Sequence, residues 1–221
     1  MPKVNEEYFE RKKNAIIEAA INVCGRKPIY QVTMKDIITE AGLSKGGIYL
    51  YFADIDEVLI EVINRCNPEA DYRDKIDAIM EESGTYSEAL RHLFVFIGKY
   101  MQQASPLVGK TLFELTILLT NYPERAEKIF SKISEQQSGQ YFNAQVYSII
   151  NKGIAAGYFK AALPLSDLFT YVSVSMDGIV LNQVLGNCYD SPFSRNSNYD
   201  TVTMTSMLAE ALLGMLGVQS S

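Results

Sequence analysis

The sequence has little of what metal centres and most catalytic sites are built from. Among 221 residues there is one histidine, His92, and there are three cysteines, Cys24, Cys66 and Cys188. The cysteines are odd in number and far apart, and no CxxC pair occurs, which excludes a disulfide framework and a zinc cluster. Each reads as a small packed apolar residue in a reduced compartment. His92 has no second histidine to complete an HExxH pattern, so it reads as a surface or hydrogen-bonded side chain. There is no GxxxxGK[ST] phosphate loop and no GxSxG nucleophile elbow. No catalytic residue, metal or cofactor is expected. Residues Met1 to Lys13 are polar and charged, unlike a signal peptide. No apolar run is read as membrane-spanning, because Asp167 and Asp177 interrupt the most apolar late segment. A cytoplasmic protein with no membrane partner is the expectation.

Strand signals are equally scarce. No stretch alternates apolar and polar residues for long, and there are no repeats or low-complexity tracts. The interior prolines Pro28, Pro68, Pro106, Pro123, Pro164 and Pro192 punctuate segments of helical period. An all-α chain of about nine helices follows, with prolines near their ends. The first helix is expected over Glu6–Cys24, with a stripe of Phe9, Ile16, Ile17, Ala20, Ile21 and Cys24, ended by Gly25. Later helices are placed at 69–82, 87–103, 106–121, 124–156, 165–186 and 200–217. Gly139 is a point where 124–156 would bend, and Gly186–Asn198 reads as a loop.

The informative stretch is Thr33–Glu57, TMKDIITEAGLSKGGIYLYFADIDE. Thr33 and Asp36 form a capping-box pair for a short helix that buries Ile37 and Ile38. Gly42 gives the backbone freedom for a sharp corner. Ser44 caps a third helix, Lys45–Tyr51, and a fourth begins near Asp54. Helix, glycine turn, helix is the helix-turn-helix design, whose second helix enters the major groove of DNA. Gly46 and Gly47 each weaken a helix by about 1 kcal/mol relative to alanine, but they let a phosphate or base edge come close to the backbone. Lys45 adds charge, and Tyr49 and Tyr51 add hydroxyls and flat faces on the expected outer side.

Residues from about Arg11 to Arg65 resemble the DNA-binding domain of TetR/AcrR transcriptional regulators. The resemblance is carried by Ile16–Ala20, Thr33, Asp36-Ile37, Ala41-Gly42-Leu43-Ser44, Gly47-Ile48-Tyr49 and Tyr51-Phe52. It implies a three-helix DNA-binding head joined through a fourth helix to a larger helical effector-binding and dimerisation domain, with a boundary between 6–66 and 67–221. It also implies DNA contacts from Thr33, Met34, Lys35, Ser44, Lys45, Gly46, Gly47, Tyr49 and Tyr51. Thr33 would touch a phosphate while capping its helix, and Tyr49 would reach another. Two departures stand out. Ile55 occupies the position where the family commonly has a phosphate-binding lysine, with Asp54, Asp56 and Glu57 around it. That leaves Arg11, Lys12, Lys13 or Lys35 to compensate. Met34, at a frequent base-contacting position, offers apolar contact only.

The charge of the whole chain, 20 basic against 26 acidic residues, by itself argues against nucleic acid. It divides unevenly, however. Residues 1–50 hold 8 basic and 6 acidic side chains, and the remainder 12 and 20.

In the second part, Phe94, Ile97, Met101, Phe113, Ile117, Tyr147 and Met176 form an apolar, aromatic and methionine-rich set suited to line a pocket for a small apolar, aromatic or cationic effector. The plainer reading of each is core. Glu114 reads as a surface pair with Lys110. Asp177 reads as an interface or kink residue. The apolar stripes of 165–186 and 200–217 would join two copies in a four-helix bundle, presenting two recognition helices to a palindromic operator. The function expected is a regulator, in the repressor mode, released from DNA by its effector. The rival is an all-α small-molecule-binding protein or enzyme without a DNA function.

Overall fold

A computed structural model describes residues 2–66, 71–189 and 200–218. In those residues all regular structure is helical. In chain order the helices are α1 (Pro2–Arg26), α2 (Met34–Ala41), α3 (Lys45–Ile48), α4 (Ile55–Cys66), α5 (Arg73–Glu82), α6 (Tyr86–Gln103), α7 (Pro106–Leu119), α8 (Pro123–Phe130), α9 (Ser134–Ala155), α10 (Leu165–Cys188) and α11 (Thr201–Met215), with a 3-10 turn at Ile29–Gln31. These eleven helices exceed the expected nine, partly because the segment expected at 124–156 is two helices. The break falls at Ser131–Ile133, where Lys132 and Ile133 make tight turns back to Ile129 and Phe130, while Gly139 stays helical inside α9. The loop expected at 186–198 begins later, since α10 continues to Cys188; its stretch 190–198, and residues 69 and 70 of the helix expected at 69–82, lie outside the described residues.

The chain packs as two compact units, each with its own core. The first comprises Met1–Ala70 and Leu107–Gln136, the second Asp71–Pro106 and Gln137–Ser221. In the first unit, Ile16, Ala20, Val23 and Cys24 of α1 meet Ile37, Ile48, Phe52 and the buried face of α4. Val108, Leu115 and Leu119 of α7 and Ile129 of α8 complete that core. This packing division differs from a single cut at residue 66. A largely buried pair at the α1 end shows one reason. Lys110 donates from Nζ to the carbonyls of Cys24 (3.1 Å) and Lys27 (3.0 Å), and Glu114 accepts from the Ile29 amide at 2.5 Å. Lys110 and Glu114 are 3.7 Å apart with side chains only 15% and 11% exposed. The expected pair exists, but it is largely buried and satisfies orphan groups where α1 gives way to the next turn. α1 also runs past Gly25 to Arg26.

In the second unit, α6 supplies Leu90, Leu93, Phe94 and Ile97, α9 supplies Phe142, Val146 and Ile150, and α11 supplies Leu208 and Leu212. Gly98 lets α6 and α11 approach closely, and Thr201 Oγ1 donates to the Gly98 carbonyl at 2.9 Å. A methyl at Gly98 would stand 2.8 Å from the Val202 Cα. α10 corrects the expectation that no segment reaches membrane-spanning length. By length and composition it is long and apolar enough to cross a bilayer. Leu168, Val172, Ile179 and Val184 are buried within the unit, while Tyr171, Val174, Val180 and Leu181 are exposed. Apolar side chains stand on its exposed side as well as on its buried one, which is why two aspartates do not divide it.

Candidate nucleic-acid interface

The turn between α2 and α3 is built as its residue types require. Thr33 Oγ1 accepts from the Asp36 amide at 3.3 Å, and the Thr33 amide donates to Asp36 Oδ2 at 3.0 Å, a complete capping box. The Thr33 hydroxyl also donates to Asp36 Oδ2 at 2.8 Å, so its proton is used inside the protein. Lys27 Nζ lies 2.7 Å from Asp36 Oδ1. These bonds, that of Lys27 foremost, hold the Asp36 carboxyl down at about 2. Gly42 closes α2 in the left-handed region, φ 62° and ψ 32°, where a side chain is strained. Ser44 then caps α3, with Oγ accepting from the Gly47 amide at 3.2 Å.

α3 is shorter than expected, ending at Ile48. Tyr49 keeps αR backbone angles, and the Tyr51 amide bonds back to the Ile48 carbonyl at 3.0 Å. The path therefore continues for one more tight turn. Ile48 and Phe52 are buried, and Lys45, Gly46, Tyr49 and Leu50 are exposed. A methyl placed on Gly46 would meet nothing within 4 Å, so the fold itself does not demand a glycine there. Tyr51 departs from the outward position expected for it. Its ring is half-buried and stacks on Phe9 with centroids 4.5 Å apart, which also explains why Phe9 leaves the buried stripe of α1. Thr33, Lys35 and Ser44 are exposed, and Met34 is half-buried against the core.

The acidic residues around Ile55 are not bare. Arg125 donates to Asp56 through Nε (2.9 Å to Oδ2) and Nη2 (2.6 Å to Oδ1). Lys128 reaches Asp54 at 3.3 Å, and Glu57 accepts from the Ala53 amide at 2.8 Å. In the basic run of α1, Lys13 pairs with Glu61 at 2.7 Å, while Arg11 and Lys12 flank the Tyr8 ring. Sequence reasoning missed α8 as the source of these counter-charges. Arg125 and Lys128 are far along the chain from the acids they neutralise, and no local period links them.

The seven residues expected at an effector site divide. Phe113 (half-buried) and Ile117 (exposed) belong to the first unit. In the second, Phe94 and Ile97 are buried core, Met101 and Met176 are half-buried, and Tyr147 is exposed with its ring 4.7 Å from that of Phe169. A cleft of about 430 Å³ in the second unit is lined by others, among them Met80, Tyr86, Ile149, Lys152 and Tyr158. His92 is exposed and 3.2 Å from Ser83 Oγ through Nδ1. Burial pushes the Cys24 thiol up to about 11, so it is an inert packed group. Among the described residues no group of three or more His, Cys, Asp or Glu side chains could hold a metal ion. Asp177 is exposed on α10.

A capped two-helix corner with an exposed, glycine-bearing second helix defines a helix-turn-helix DNA-binding protein. The chain matches the sequence profile of the tetR family of bacterial regulatory proteins over residues 16–62. It is similar to the uncharacterized HTH-type transcriptional regulator YfiR of Bacillus subtilis, 26% identical over 82% of this chain and 84% of that one. The fatty acid degradation regulator FadR of Bacillus halodurans is 25% identical, with a TM-score of 0.62 over 94% of this chain and 97% of its own. The FadR of Bacillus subtilis, solved in complex with stearoyl-CoA, shares the fold at 21% identity and a TM-score of 0.56, over 91% and 97%. The chain is thus a DNA-binding transcriptional regulator of all-α architecture, and the relatives it matches are named as regulators, not as enzymes.

Proposed function

We propose that the protein is a cytoplasmic repressor, without catalytic activity of its own, that binds a palindromic operator as a homodimer and leaves it when a small effector binds. The observation that carries the DNA-binding assignment is the exposed row on and beyond α3, capped by Ser44 and turned by Gly42. In this reading Lys45, Gly46 and Gly47 meet bases or backbone, and Tyr49, Thr33, Lys35 and Ser44 meet phosphates, with Met34 and Tyr51 flanking. Thr33 would have to share its hydroxyl with Asp36. Residues 6–66 act as the reading head, supported by α7 and α8, and the rest of 67–221 carries effector binding and dimerisation.

A second copy covers the exposed side of α10 and α11, where Tyr171, Val174, Val180, Leu181 and Met207 stand in solvent. A bilayer is the poorer occupant, because α10 would have to give up the buried contacts of Leu168, Val172, Ile179 and Val184. The effector is an apolar or amphipathic molecule held by the second unit. The stearoyl-CoA bound by a relative of the same fold supports a long acyl chain as the first compound to try. Mechanistically, effector and operator prefer different members of one conformational equilibrium. Selection of duplexes from a random pool by the full-length protein, followed by footprinting, tests this reading. A protected palindrome is expected, lost in the double variant K45A/Y49A. Undiminished binding by that variant overturns the assigned recognition helix.

A further inference from the structure

The most exposed large apolar side chain among the described residues is Leu50, with 74% of its surface in solvent. Its neighbours have evident structural work. Ile48 and Phe52 are core, and Tyr51 stacks on Phe9. Leu50 packs in neither hydrophobic core. Lys45 and Tyr49 are four residues apart, and so are Gly46 and Leu50. The path stays αR at Tyr49, and all four positions are exposed while Ile48 between them is buried. Leu50 therefore continues the surface assigned to DNA.

A leucine cannot satisfy a donor or acceptor on a base edge, and covering one without a partner is costly. Only thymine presents an apolar group in the major groove, its C5-methyl. We propose that Leu50 is a specificity-determining residue that reads a thymine methyl in each half of the operator. This rests on the DNA-binding reading above. Met34, the half-buried apolar residue at the start of α2 in the same unit, fits an operator read by methyl contact as well as by hydrogen bonds.

The test uses the full-length protein and the duplex it selects from a random pool. Each thymine is replaced in turn by deoxyuridine, which removes the methyl alone. At one position per half-site the replacement should weaken binding about fourfold, the worth of one buried methyl-sized group. In L50A, which alters a solvent-exposed side chain and should melt as the parent does, the same replacement should cost nothing. An equal penalty in both proteins, or a penalty in neither, overturns the assignment of Leu50. Failure of the folded protein to enrich any duplex would instead overturn the DNA-binding reading, and the role of Leu50 with it.

Discussion

Arg125 on α8 holds both carboxylate oxygens of Asp56 on α4 with one edge of its guanidinium, through Nε at 2.9 Å and Nη2 at 2.6 Å. Asp56 is buried in the first turn of α4, where a carboxylate also complements the helix dipole. R125M would leave that carboxylate without its partner in a mostly dry site. A loss of about 2 kcal/mol is expected, less than for a fully buried pair because Arg125 is a third exposed. Urea unfolding should show it as a lower midpoint. The double variant D56N/R125M should recover part of the loss, because no unpaired charge is then buried. Additive losses would contradict this.

Gly46 separates stability from recognition. Since a methyl there meets nothing in the protein, G46A should leave the fold unharmed or stabilise it by up to about 1 kcal/mol. Operator binding should nevertheless fall, because the methyl stands where DNA must approach. A thermal melt and a binding curve on the same preparation decide it. Unchanged affinity would show that DNA does not come near this backbone.

The Asp36 carboxyl is held at about 2, against an ordinary value of 3.8. Below pH 4 the unfolded chain therefore binds a proton that the folded head refuses. The sign follows: the stabilisation is fully present above about pH 4 and is lost as the pH falls toward about 2. K27M removes the largest cause of the depression. Its stability should then fall less steeply between pH 5 and pH 3 than that of the parent protein, measured by urea midpoints at the two values. Parallel slopes would show that the Lys27–Asp36 pair does not set the acid limb.

The head was legible because its signals are local. Thr33 with Asp36, Gly42, and Ser44 with Gly47 each act over three or four residues, and the structure builds each of them as a cap or a turn. What the sequence did not reveal depends on partners distant in the chain. Lys110 and Glu114 look like an ordinary surface pair until α7 packs against the end of α1. Asp54 and Asp56 look repulsive until Lys128 and Arg125 reach them. Tyr51 looks outward-facing until Phe9 takes its ring. The apolar positions of the second unit have helical period whether they line a pocket or fill a core, so spacing alone could not separate Phe94, which is core, from Met101, which is half-buried.

The first core also orders events during synthesis. The chain leaves that unit at residue 70 and returns at 107, and Leu115, Leu119 and Ile129 close over apolar faces made much earlier. A ribosome that has released only α1 to α4 has made every residue of the reading surface but not the far wall of its core. The head can reach its full stability only after α8 emerges, and until then the apolar side of α4 is available to chaperones or to another nascent chain.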